Sequence, residues 1–272
     1  GPPSVFGFYE IERTKGTPFP NSVINIGPFA VYIGDDGFYR FDGAMSEALG
    51  QQRVDRTIRT DIDMNYRHRV YGAADFDQKL VYWLYPNAAA TNGGPNRMAI
   101  WNWLTGDFSV ADGIACQLLF HEYRQGYTLE TLDEVSASID TLPLSLDSTA
   151  WMGGRRRLAG FSTGNQLVAF TGANLAATIE TSEYKAPNGK LVQVNGFRPL
   201  VDGGTLTGLV RHRLLPNAAL TDSPSHARRA NDGIIPARIT NRYVRAQISI
   251  AAAGTWTHAQ GIEPLMTERG RR

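Results

Sequence analysis

The sequence predicts an all-β protein, and three observations carry that reading. Segments of alternating β-branched and aromatic residues run almost the whole length of the 272-residue chain, bounded by Gly, Asn, Asp or Pro. Helical periodicity is nearly absent. A hairpin-like phrase also recurs: residues 30–43 lie over 159–172 without a gap, matching Tyr32 to Phe161, Phe38 to Leu167, Phe41 to Phe170 and Gly43 to Gly172.

Taken in order, "AVYIG" and "GFYRF" flank Gly37 as a first hairpin, and "AMSEALG" at 44–50 has room for a turn or two of helix. "KLVYWLY" (79–85) and "RMAIWNW" (97–103) form a pair across the polar loop 87–96, with Trp101 in the place of Phe38 and Gly106 in that of Gly43. At 128–138 a short helix is expected, with Thr128 as its cap. "RLAGF" and "QLVAF" around Gly164 complete the second copy of the first hairpin. Gly43, Gly106 and Gly172 lie 63 and 66 residues apart, which is a near-regular repeat. A repeated antiparallel unit that cannot bury both faces must stack on its neighbours, and the closed solution is a β-propeller of four-stranded blades. The spacing exceeds the usual blade of about 40–50 residues, so long loops are required. A β-sandwich with repeated hairpins gives the same local pattern. The expected division is propeller blades over 1–190 and an additional carboxy-terminal β region over 191–272. In the latter, "TLTGLVRHRL" and "YVRAQISI" are long strands separated by a polar connector at 221–241.

Composition narrows the function classes. Lys and Arg number 27 against 26 Asp and Glu, so the formal charge of +1 supplies no global attraction to nucleic acid or membrane. A single cysteine, Cys116, excludes an intrachain disulfide and reads as a small core residue. No apolar run has the ~18 residues that would span a bilayer. The opening "GPPSVFGFYE" lacks a methionine and is already strand-like, so further sequence is expected before Gly1.

Each motif with chemical potential has a simpler structural account. Asp61, Asp63 and Asn65 in "RTDIDMNY" occupy the first three ligand positions of a calcium loop, but Tyr66 and Gly72 stand where that loop needs Gly and Glu. A strand end whose carboxylates pair with Arg56, Arg59, Arg67 and Arg69 is the expectation. Asp35, Asp63, Asp75 and Asp147 are the carboxylates that could converge for glycoside cleavage, although Asp75 and Asp77 sit where Asp caps turns. "GFSTG" at 160–164 has the spacing of a nucleophile elbow but leads into a strand, so it reads as a turn. His68, His121, His212, His226 and His258 show no metal-ligand spacing and are expected as surface or interface groups. The clusters at Arg155–Arg157, at Arg228 and Arg229, and at Arg269, Arg271 and Arg272 are expected as solvated turns or subunit contacts. Trp83, Trp101, Trp103, Trp151 and Trp256 are expected as core or interface anchors.

Beyond these readings, "VINIGPFAVYIGDDGFYRFDG", "KLVYWLYP", "NRMAIWNWLTGDFSVADG", "LAGFSTGNQLVAFTG" and "NRYVRAQISIAAAGTWTHAQGIEP" resemble the propeller proteins of tailed-bacteriophage tails, the nozzle, hub or DNA-stabilising components of short-tailed phages. The resemblance covers the carboxy-terminal portion of such proteins. It implies a structural virion protein, not an enzyme, with no catalytic, cofactor-binding or metal-binding residue. It further implies a ring homo-oligomer, with six copies expected, around the DNA path. Partners would be the head-to-tail adaptor and a distal needle or fibre, with transient non-specific contact to double-stranded DNA and none to membrane. Assembly would occur in the bacterial host cytoplasm. A propeller glycosidase and a glycan-binding tail protein stand as alternatives, the latter through Trp151 or Trp256.

Overall fold

The computed structural model describes residues 10–50, 54–123, 126–142, 151, 156–170 and 173–270. The chain is all-β, 46% strand and 12% helix, in several antiparallel sheets, and no closed barrel or propeller is detected. It separates into two compact units, 1–170 and 171–272.

The first unit is built from consecutive meanders. β1 (Ile24–Ile26), β2 (Phe29–Ile33), β3 (Phe38–Phe41) and β4 (Ser46–Ala48) pair in sequence order. The helix α1 (Asp55–Asp61) and a 3-10 turn at Met64–Arg69 lead to a second meander of β5 (Tyr71–Asp75), β6 (Leu80–Tyr85), β7 (Arg97–Asn102) and β8 (Phe108–Asp112). A third sheet joins β9 (Cys116–Tyr123), β10 (Arg156–Ser162) and β11 (Leu167–Ala169), with the short helix α2 (Leu129–Leu132) in the connection between β9 and β10. Thr128 caps α2 as the sequence predicts.

The middle sheet explains why "LVYWLY" is apolar without alternation. Val81, Trp83 and Tyr85 pack on the first sheet with Val31, Ile33 and Phe38, whereas Tyr82 and Leu84 pack toward the third with Leu119 and Leu158. A strand covered on both faces has no solvent side on which polar residues would be placed. The first strands of the meanders lie side by side, β1 against β5 and β5 against β9.

The repeat holds at one corner of the first two meanders. Gly43 and Gly106 follow the third strand of each, at φ of +100° and +77°, where a side chain would be strained. Asp42 Oδ1 accepts from the Ala44 and Met45 N–H groups at 2.9 Å each. Asn102 Oδ1 accepts from Leu104 at 2.9 Å and Thr105 at 3.3 Å. Trp101 and Phe38 are both buried, and both rings meet Phe108.

The copy at 159–172 is looser than its sequence implies. In the first hairpin Ile33 faces Phe38, but in the copy Phe161 faces Leu167, because the second turn is one residue longer, with Asn165 at φ of +61°. The packed face is not reproduced either. Tyr32 and Phe38 are 8% and 1% exposed, and their counterparts Phe161 and Leu167 are 41% and 58% exposed. Gly172 lies outside the described residues.

The second unit is a two-layer sandwich. One sheet runs β12 (Ala177–Glu180), β19 (Tyr243–Ile250), β15 (Leu206–Arg213) and β16 (Thr221–Asp222), with β13 (Tyr184–Lys185) on β19 and β17 (His226–Ala227) on β15. The other runs β18 (Ile235–Asn241), β14 (Leu191–Val201) and β20 (Ala259–Arg269). Their inner faces interdigitate through Val192, Val194, Phe197 and Ile235 on one side and Val210, Val244, Ala246 and Ile248 on the other. Outward-pointing charges on the six-stranded sheet pair laterally. Glu180 meets Arg211 and Arg245 at 3.2 Å each, and Glu183 accepts from Arg213 Nε at 2.7 Å, which holds the Glu183 carboxyl below its usual range.

The two compact units divide at 170/171, and β12 and β13, which precede the expected boundary at 190/191, pair with β19. Two expectations are corrected here. The polar connector at 221–241 contains β16, β17 and β18. Residues 46–48 form the edge strand β4, not helix, because Ser46, Glu47 and Ala48 pair with Phe41, Arg40 and Tyr39.

One loop of this unit yields an acid-stability prediction. Asp202 accepts from the Thr257 hydroxyl and from the His258 and Thr257 N–H groups at 3.0 and 2.9 Å, bonds that lower its carboxyl to about 2 from the ordinary 3.8. A depressed folded value means the stabilisation is present above 3.8 and is lost as pH falls through about 2. Asp202→Asn is expected to flatten the dependence of thermal midpoint on pH in that window. Parallel profiles for the two proteins would refute the assignment.

Candidate functional site

One polar constellation of the first unit lies on the stretch "YIGDDGFYRFDG" itself. The tight turn between β2 and β3, closed by Gly34 N–H to Gly37 carbonyl at 2.7 Å, places Asp36 beside Tyr39. The Tyr39 hydroxyl donates to Asp36 Oδ1 at 2.5 Å. Lys15 comes in from the preceding segment and donates Nζ to the Tyr39 hydroxyl at 2.6 Å and to Asp36 Oδ2 at 3.2 Å, lying 4.5 Å over the Tyr39 ring. Behind them Asp55, the first residue of α1, accepts from Phe38 N–H at 3.1 Å. Its carboxylate fills the space that side chains at Gly37 and Gly50 would occupy, since a Cβ there would fall 2.5 and 2.2 Å from it. With Arg56 these groups line a cleft of about 470 Å³.

The electrostatics run away from acid–base work at neutral pH. The bond from Tyr39 depresses Asp36, the bonds to Tyr39 and Asp36 raise Lys15, and burial with the nearby Asp36 raises Tyr39. Lys15 and Asp36 are thereby held charged and Tyr39 neutral, a state that clamps the 10–18 segment to the hairpin. Asp55 is raised by burial, with Asp36 adding to the effect.

The other nominated carboxylates are engaged locally. Asp75 ends β5, and its Oδ1 accepts from Asp77 and Gln78 N–H at 2.9 and 3.1 Å. Asp63 caps the 3-10 turn through Asn65 N–H at 3.0 Å. Asp35 stands exposed in the β2–β3 turn, and Asp147 lies outside the described residues. "RTDIDMNY" is the end of α1 and the start of the 3-10 turn, not a strand end. The partner of Asp61 is the distant Arg97 at 2.7 Å, with Tyr85 hydroxyl donating at 3.0 Å, rather than the neighbouring arginines. Arg97 also bridges to Asp112 at 2.7 Å, tying α1 to the end of the β7–β8 ladder where these two residues face each other. The i, i+4 spacing of Val54, Ile58 and Ile62 was the sequence signal for this helix.

Among the described residues no group of three His, Cys, Asp or Glu side chains converges as a metal site. "GFSTG" forms a turn into β11, as its sequence context implies. Cys116 is buried, its thiol raised by that burial and donating to Leu118 carbonyl at 3.1 Å. His121 departs from the surface expectation. Both its ring nitrogens are enclosed without a hydrogen-bond partner, beside the Phe76 ring at 6.3 Å. His212 shares a 2.8 Å hydrogen bond with Asn241. Trp83 and Trp101 are core residues, whereas Trp103, Trp151 and Trp256 are half-buried. Of the basic clusters, Arg229 pairs with Asp232 at 2.8 Å, and Arg155, Arg271 and Arg272 are outside the described residues.

No known protein family and no curated protein matches the chain. Among the described residues no helix is long and apolar enough to cross a membrane.

Proposed function

We propose that the chain is a structural subunit of a phage or phage-derived tail, contributing propeller blades to a ring-shaped homo-oligomer that encloses the DNA path. The observation that carries this reading is the arrangement of the first unit. Successive antiparallel meanders stack face to face with their first strands adjacent, as blades do around a propeller axis. Apolar side chains on the terminal sheets agree with continuation of such a stack: Phe161 and Leu167 in the third sheet and Val23 beside the first are 41%, 58% and 50% exposed. Asp36 and Asp61 are engaged in ion pairs and Asp63 and Asp75 in turn caps, which suits an assembly part. Contacts to an adaptor, a distal fibre and passing DNA are the partners this role requires, with heterologous interfaces closing the ring.

Negative-stain microscopy of the purified protein, with mass measurement in solution, tests the proposal. Rings with a central hole are expected, together with the protein in purified particles. A strictly monomeric protein with no particle-associated copy would overturn it.

A further inference from the structure

A second cleft of the first unit, about 920 Å³, opens where the 3-10 turn, the 87–96 loop, the β8–β9 connection and the β10–β11 turn meet. Among the described residues no Asp or Glu lines it, while His68 and Arg69 do. Arg69 is positioned in advance: Nη1 donates to Asn92 carbonyl at 2.8 Å, and the guanidinium lies 5.7 Å over the Tyr66 ring. Among the described residues Arg69 has no carboxylate partner, so its remaining N–H groups are open to an anion. The rest of the lining mixes short hydrogen-bonding side chains, Thr91, Gln117 and Thr163, with the ring of Tyr71.

We infer that this cleft binds a small saccharide bearing a carboxylate, with the acid group on Arg69 and His68. A sugar presents hydroxyls to amides and threonines and C–H faces to an aromatic ring, which is what this lining offers. The fork of an arginine matches a carboxylate in two bonds. Nucleic acid is the weaker fit, because a duplex requires many phosphate contacts and this cleft supplies one guanidinium. The site is separate from the clamp at Asp36 and does not depend on ring assembly.

NMR titration of the full chain with digalacturonate, its neutral dimethyl ester and inorganic phosphate tests the inference. Saturable binding of digalacturonate is expected, weakened about tenfold or more in the ester and in Arg69→Gln, as for loss of a charged hydrogen bond. Thr163→Glu, at an exposed position of the β10–β11 turn, is expected to abolish binding by adding a like charge while leaving the spectrum folded. No saturable binding, equal binding of the ester, phosphate binding as tight as the sugar acid, or unchanged affinity in both variants would each overturn it.

Discussion

Trp83→Ala is expected to destabilise the first unit by about 3–5 kcal/mol, the range for deleting a buried aromatic. The indole is fully buried, 4.9 Å from the Phe38 ring, and donates Nε1 to the Ser22 carbonyl at 2.9 Å. Truncation removes the central filling between the first two sheets and leaves the Ser22 carbonyl without its donor. Against a typical total of about 5–15 kcal/mol, such a loss brings the unit close to unfolding. Trp83→Phe, which keeps an aromatic ring but loses the hydrogen bond, is expected to be milder. Urea unfolding followed by circular dichroism measures both. A shift of the alanine variant within the scatter of surface substitutions would remove Trp83 from the core.

Gly208→Ala is expected to destabilise the second unit by a smaller amount, through overpacking instead of cavity formation. A Cβ on Gly208 would lie 2.7 Å from the Phe197 ring and 2.8 Å from the Gln247 carbonyl. The ring could turn, but the carbonyl belongs to β19 and is held by the ladder to β15. Strain of about 1–3 kcal/mol follows. Calorimetry of the two variants also tests the division of the chain. Trp83→Ala should lower one transition and Gly208→Ala another, and a single transition moved equally by both would contradict two compact units.

The long strands β15 and β19 were legible because one face is buried and the other solvated. β15 and β19 alternate along their length because each has the sandwich core on one side and the Arg–Glu ladder on the other. The turns were legible for a local reason, since Asp42, Asp75 and Asn102 accept from N–H groups two and three residues ahead. Residues 46–48 were misread because helical propensity in a short segment is weak, and the open edge of β3 gave their backbone partners. The 159–172 copy was overread because likeness of sequence does not fix turn length, and one extra residue displaces the whole ladder.

The candidate cluster was visible only in half. Asp36 and Tyr39 are close in sequence, but Lys15 and Asp55 reach them from 21 and 19 positions away. Neither cleft could be read from spacing, since their walls come from segments separated in the chain.

By itself the sequence determined an all-β chain, the positions of β2, β3, β6, β7, β10, β11, β15 and β19 and the turn chemistry beside several of them, because those depend on side-chain alternation and on hydrogen bonds within a few residues. Tertiary structure alone decided which strands share a sheet, that β12 and β13 belong with β19, that Asp61 answers Arg97, and which aromatics of the repeated hairpin are buried. These are contacts between residues distant in the chain, and they are selected by the burial of whole faces, a free energy that no local window of sequence contains.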